Sequence, residues 1–285
     1  MSPVPDREPR LDRHATARAG LPREDLSGLA VRQPYRSAGP WVGAPGLSLL
    51  QRLGRDADTD DAAEQPGFGR FRARANRAAL ADLVRYGLTD DAGRLTPEGR
   101  RVTAPLRDRA RTLDVSTVLG GRRADCTVIV GRAGEALVLA GPSAHQQVLA
   151  DPEVTTFSGH RQLDVVASAG VGGLLTSWLG IGPSWYVPGP ALALPRSLVD
   201  ARLRDRDAAA PDPVPGRADL WERPWLGWSL SVDGGPAETF VNAGSAGQFT
   251  TRAVDGGVVL LEQVPARNVY RYLVARGTDA EPVAA

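Results

Sequence analysis

The chain offers few side chains with which to do chemistry. Its histidines are His14, His145 and His160. Ser143 precedes His145 and Asp164 follows His160, so the residue types of nucleophilic hydrolysis are present. Their arrangement does not serve that reaction. No Gly-x-Ser-x-Gly turn lifts a serine above a sheet. No two histidines stand four apart on one helix face, and no carboxylate cluster has metal-ligand spacing. Histidines scattered over a surface fit the pattern better. Cys126 is the sole cysteine, which excludes an internal disulfide and a cysteine-based zinc site. It lies in an apolar run, where a buried, inert thiol is expected.

Two stretches come nearer to a site. The first is Val165-Val166-Ala167-Ser168-Ala169-Gly170-Val171-Gly172-Gly173-Leu174. It resembles the glycine-rich turn that brings backbone amides to a pyrophosphate at a helix N-terminus. Ser168 stands where the first glycine is needed, the following helix is short, and nothing around it alternates as βαβ. A small-residue helix packed closely on a sheet is the weightier reading. No cofactor is therefore expected. The second stretch, Ala79 to Arg101 (ALADLVRYGLTDDAGRLTPEGRR), resembles the helix and wing of a winged-helix DNA-binding protein. Arg70, Arg72, Arg74 and Arg77 add charge ahead of it. An earlier helix pair is missing, and two helices joined by a tight turn account for the same residues. A transcriptional regulator is the alternative function kept on this basis.

The whole chain limits the choices further. Its 285 residues carry 34 basic and 33 acidic side chains, a net charge of +1, so no global field points to nucleic acid or membrane. Every basic residue is Arg, which with abundant Ala, Gly and Pro suggests a GC-rich genome. No apolar run approaches the roughly 18 residues of a membrane span. Met1 to Arg10 lack the apolar core of a secretory leader. A cytoplasmic, non-enzymatic protein is expected. Residues 1–45, rich in Arg, Pro and Gly, read as a flexible segment, and residues 46–285 as one α+β domain.

Within that domain a pattern occurs twice. In the first copy, Cys126 to Val130, the turn Gly131 to Gly134, and Ala136 to Ala140 lead to extended stretches at Gln147 to Ala150 and Val154 to Ser158. A helix is expected from about Leu163 to Leu179. In the second copy, Trp228 to Val232, the turn Asp233 to Pro236, Glu238 to Asn242, Gln248 to Val254 and Val258 to Val264 precede a helix from Ala266 to Ala275. Turn residues between short β-prone runs predict antiparallel meanders. The fold class is thus α+β, a pseudo-twofold duplication of sheet plus helix, with halves at about 68–180 and 190–276. Ahead of it, a helix from Phe68 is expected to stop at Gly87 with Leu88 packing back. Thr96-Pro97-Glu98 should open a second helix, running to about Ala110 with Pro105 interrupting it.

The order of these elements resembles the EspG family of ESX (type VII) secretion-associated proteins of actinobacteria. The stretches that carry the likeness are LVRYGLTDDAGRL, TPEGRRVTAPLRDRARTLDV, TVIVGRAGEALVLAG, VTTFSGHRQLDVV, LALPRSLVDARLR and VVLLEQVPARNVYRYLVA, from Ala79 to Arg276. The resemblance implies a cytosolic chaperone that binds the tip of a helical PE–PPE or WXG-type secretion substrate, without cofactor or catalysis. It also implies where the partner sits: the hairpin around Arg132 and Gly134, the Trp185-Tyr186 connector, and the last helix, which bears Tyr270. Trp185, flanked by Gly and Pro, is the expected anchor.

Overall fold

The computed structural model describes residues 39–56, 70–148, 157, 159–216 and 218–278, with backbone alone at 56 and 70–76. Ten strands form one sheet: β1 (Trp41–Gly43), β2 (Arg109–Leu119), β3 (Arg122–Gly131), β4 (Glu135–Ala140), β5 (His160–Ala167), β6 (Leu192–Pro195), β7 (Leu226–Val232), β8 (Glu238–Asn242), β9 (Gln248–Val254) and β10 (Val258–Val264). Their order is β1-β5-β4-β3-β2-β7-β8-β9-β10-β6, and every neighbouring pair is antiparallel. The helices are α1 (Ala44–Asp56), α2 (Arg70–Arg85), α3 (Pro97–Arg107), α4 (Ala144–Val148), α5 (Val171–Trp178), α6 (Arg196–Arg204), α7 (Ala218–Trp221) and α8 (Ala266–Gly277). The chain is α+β.

The sequence is duplicated in space. β2 and β7 pair at the centre, Val115 opposite Leu230, and each begins a four-stranded meander that runs outward. Each meander ends in a helix, α5 or α8. A short edge strand, β1 or β6, closes each side and leads directly into a helix. A pseudo-twofold axis perpendicular to the sheet, between β2 and β7, relates the halves.

Alternation within the strands separates two cores. Val128, Val130 and Val138 face one side, where α5 and α8 cover the middle of the sheet with Leu175, Trp178, Val269 and Leu273. Ile129, Leu137 and Leu139 face the other side, under α1, α2 and α3, with Leu50, Leu83 and Val102. In the second half that other side is packed by Val199 of α6, Leu220 and Trp221 of α7, and Trp225, over Val241, Phe249 and Leu261.

The phase of the duplication differs from the sequence expectation. β2 is the first strand of the first copy, although its start was expected to be helical. Pro105 removes a backbone donor, α3 ends two residues later, and Leu113, Val115, Thr117 and Leu119 then alternate into the core. The counterpart of the turn at Asp233 is therefore Gly120-Gly121, between β2 and β3, not Gly131 to Gly134. The helix expected from Leu163 is β5 as far as Ala167, then a short turn, then α5. The extended stretch expected at Gln147 begins inside α4, and most of Val154 to Ser158 lies outside the described residues. Residues 41–45, assigned to the flexible segment, form β1 and the first turn of α1, and Val42 is fully buried. Residues 1–38 and 279–285 lie outside the described residues.

Local signals held. Gly87 takes φ 69°, and its N–H reaches Val84 O while that of Leu88 reaches Leu83 O, which caps α2. Thr96 caps α3 through Gly99 N–H at 3.0 Å, with Pro97 in the first turn.

Candidate functional site

Trp185 and Tyr186 lie in the connector between α5 and β6, which has no regular structure, and both are half-buried. The backbone here is fixed. Trp185 N–H donates to Ser245 O at 3.2 Å, and Trp185 O accepts from Gln263 Nε2 at 2.6 Å. The same amide group accepts the Val187 N–H at Oε1 (3.1 Å) and donates to Ala246 O. One side chain of β10 thus pins the connector to the β8–β9 turn. Beyond that clamp, Val187 is 50% exposed.

The pinned connector forms the lip of a pocket of about 330 Å³. Val187, Pro190, Leu192, Leu220, Phe249 and Leu261 are among its walls, and among the described residues no charged one lines it. It lies at the β6 edge, on the face that α6 and α7 cover only in part. The resemblance named Trp185 and Tyr186 but not these walls. The run Val187-Pro188-Gly189-Pro190 was a usable signal, because prolines on both sides of a short apolar segment keep it out of a strand. The clamp by Gln263 had no sequence signal.

The other expected partner residues are elsewhere. Arg132 is exposed in the β3–β4 turn, where its N–H and that of Ala133 donate to Asp108 O and Oδ2 at 3.0 Å. Gly134 there has φ 86°, and its carbonyl accepts the Ser168 N–H. By the pseudo-twofold relation this turn is the counterpart of the β8–β9 turn, so it lies at the opposite end of the sheet from Trp185. Tyr270 is 47% exposed on the outer side of α8. The structure joins Trp185 and Tyr186 in one place, puts Arg132 and Gly134 at the other end of the sheet, and sets Tyr270 on the outer side of α8.

Of the residues that could do chemistry, Cys126, Ser143 and His145 are packed into the fold, His160 and Asp164 are half-buried, and His14 lies outside the described residues. Cys126 is buried in β3, and burial pushes its thiol up to about 12. Burial also holds His145 below its ordinary value. Of the glycines in the Val165 to Leu174 stretch, Gly172 serves helix packing, together with Gly277 of α8. A Cβ on Gly172 would lie 2.5 Å from Val274 Cγ2 and 2.7 Å from Val274 Cα, and one on Gly277 would lie 2.8 Å from Val171 Cβ. These two contacts bring α5 and α8 together antiparallel. The helix-and-wing stretch is α2, a bridge between Thr89 and Leu95, and α3. Its apolar side, Leu83, Leu88 and Val102, is spent on the sheet, and α1 precedes it. The wing tip carries Asp90 and Asp91. The Arg94 amide and guanidinium, both 2.9 Å from Asp90, hold that carboxyl below its usual range.

Among the described residues no group of His, Cys, Asp and Glu could hold a metal ion, and no helix is long and apolar enough to cross a membrane.

No family model and no curated protein matches the chain. Among solved structures, that of the Mycobacterium tuberculosis type VII secretion system chaperone EspG5 in complex with a PE25–PPE41 dimer is similar to it with a TM-score of 0.47 and 11% identity. The likeness covers 87% of this chain and 98% of that one.

Proposed function

We propose that the chain is a cytoplasmic, non-catalytic chaperone of the EspG kind for a helical type VII (ESX) secretion substrate, working without a cofactor. The observation that carries this reading is the open apolar pocket under the Trp185 to Pro190 connector. A monomeric protein leaves few such concave apolar sites uncovered unless something docks there. The order of residue stretches from Ala79 to Arg276 supplies the class of partner. The mechanism is masking. An apolar tip that would aggregate in water is held against apolar walls inside a polar rim until it is exported. The regulator alternative has less support. A wing tip bearing Asp90 and Asp91 repels phosphate, and the chain has almost no net charge with which to release counterions.

Co-expression with the helical secretion protein encoded beside it tests the reading. The two should co-purify as a stoichiometric complex and the substrate should stay soluble. Trp185→Ala should weaken the complex by about 2 kcal/mol or more while leaving the melting temperature nearly unchanged. Loss of several degrees instead would make Trp185 a core residue. Failure of any neighbouring helical secretion protein to co-purify would sink the functional assignment.

A further inference from the structure

The duplication is incomplete, and the gap coincides with the pocket. In the first half, the edge strand β1 is followed by α1, α2 and α3 before β2. In the second half, β6 is followed by α6, a loop and the single turn α7 before β7. α6 is the counterpart of α1, and α7 stands where α3 ends. Among the described residues α2 has no counterpart. In the first half, Leu83 of α2 packs with Val42 of β1 and Leu163 of β5. The corresponding strands of the second half are β6 and β10, and there Leu192 and Leu261 line the pocket instead of carrying a helix.

We infer that this pocket takes an amphipathic helix of the partner chain, which completes the layer that α2 supplies in the first half. The inference rests on the binding-protein reading and specifies where and how the partner docks. The protein's own repeat fixes the shape of the occupant. An apolar strip on the same kind of edge is covered, in the one copy where it is covered, by a helix that inserts aliphatic side chains spaced by one turn. The chain flanking Gly216 and Leu220, two of the walls, carries Arg217 and Arg223 as well as Asp212, Asp219 and Glu222, so the apolar stripe and not charge defines the occupant. The two terminal segments outside the described residues join the fold elsewhere. Residues 1–38 join at Gly39, beside β1 at the opposite edge of the sheet. Residues 279–285 follow Thr278, whose carbonyl Arg111 holds at 3.2 Å at the end of α8, on the other face.

The test uses the full chain and two synthetic helical peptides of one composition, one with a leucine stripe at i, i+3, i+4 and i+7 and one with the same leucines spread around the helix. Binding is read by fluorescence anisotropy. The striped peptide should bind saturably at one site and more tightly than the peptide with spread leucines. Two pocket variants should weaken it about tenfold or more. Val187→Asp puts a charge on an exposed wall. Gly189→Phe places a ring at the lip, where a Cβ meets nothing within 4 Å. Both variants should melt with the wild type, and Tyr270→Ser, on α8 over the other face of the sheet, should bind like it. Equal binding by all three variants, or no saturable binding, overturns the inference. So does tighter peptide binding after deletion of residues 1–38, which would make that segment the native occupant. A wild-type dimer that Val187→Asp converts to monomer overturns it too, because the occupant would be a second copy. The functional reading fails separately. Peptide binding at the pocket with no co-purifying secretion protein keeps the site and removes the chaperone assignment, whereas a co-purified complex indifferent to Val187→Asp does the reverse.

Discussion

Gly172 and Gly173 stand side by side in α5, and the structure gives them opposite fates. A Cβ at Gly173 meets nothing within 4 Å. Gly173→Ala should therefore gain helix propensity, up to about 1 kcal/mol, with no packing penalty. A Cβ at Gly172 would lie 2.5 Å from Val274 Cγ2, 2.7 Å from its Cα and 2.8 Å from its N. Two of those atoms are backbone, so a rotamer change cannot clear the clash and α8 must move off α5. Overpacking of this kind costs about 1–3 kcal/mol. The propensity gain is nearly common to both variants, so the difference between them isolates the clash. For a domain of this size, 1 kcal/mol corresponds to about 2–4 °C in melting temperature. Thermal denaturation followed by circular dichroism should therefore place Gly172→Ala roughly 2 to 12 °C below Gly173→Ala. Adding Val274→Ala should recover only part of the loss, because the backbone contacts remain. If both alanine variants melt together, at or above the wild type, α5 and α8 do not touch at Gly172. The reasoning about the pseudo-twofold helix pair would then fall.

Other outcomes follow from buried groups. Arg202 donates to Ala208 O, to Trp221 O at 2.5 Å and to Arg223 O at 2.7 Å, tying α6 to the ends of the following loop. Arg202→Lys cannot fork to three carbonyls, so chemical denaturation should report a loss of about 2–3 kcal/mol, close to that of Arg202→Met. If the Lys variant is as stable as wild type, the fork is not what holds the loop. Burial lowers the His145 titration in the fold below its ordinary value of 6.5. The unfolded chain thus binds a proton that the folded chain refuses. This contribution is complete above pH 6.5 and is lost as the pH falls below it. Melting temperature should decline from pH 7 to pH 5, and His145→Gln should flatten that decline; an unchanged slope would assign it to other groups. Cys126, buried and with its thiol pushed up to about 12, should react with a thiol reagent at pH 8 at least about a hundredfold more slowly in the native protein than in denaturant. Rapid native labelling would contradict the burial of β3.

Signals spanning a few residues were legible in the sequence. The Gly87 stop with Leu88 folded back, the Thr96 cap and the Pro97 start each depend on one turn of chain, and each is in place. The duplication was legible too, but out of phase. β2 alternates cleanly, with Asp114 and Ser116 outward between buried Leu113, Val115 and Thr117. That pattern was masked by the Arg-rich run before it, which extends α3 by composition. β5 was read as helix because it runs into the small residues of α5 without a turn signal. Its strand character comes from pairing with β4 and with Trp41–Gly43, more than a hundred residues earlier. β1, three residues long, exists only through that pairing. Nor was the candidate site readable as a unit. Its walls come from the connector, β6, α7, β9 and β10, and only the ladders of the sheet bring them together.

The central β2–β7 pair also sets a hazard during synthesis. The first meander can form as soon as β5 leaves the ribosome, and it then presents β2, eleven residues long, as a bare edge. The strand that covers it, β7, is made only after α5, the connector, β6 and the Pro-rich loop. At roughly 5–20 residues per second that interval lasts several seconds. Because β7 is the duplicate of β2, the edge that waits is nearly complementary to itself. Two nascent chains on one message could join edge to edge before either is finished, and each would then hold its own β7 without a partner strand. Slow translation between residues 180 and 226 should raise the yield of such entangled dimers, and fast translation should lower it.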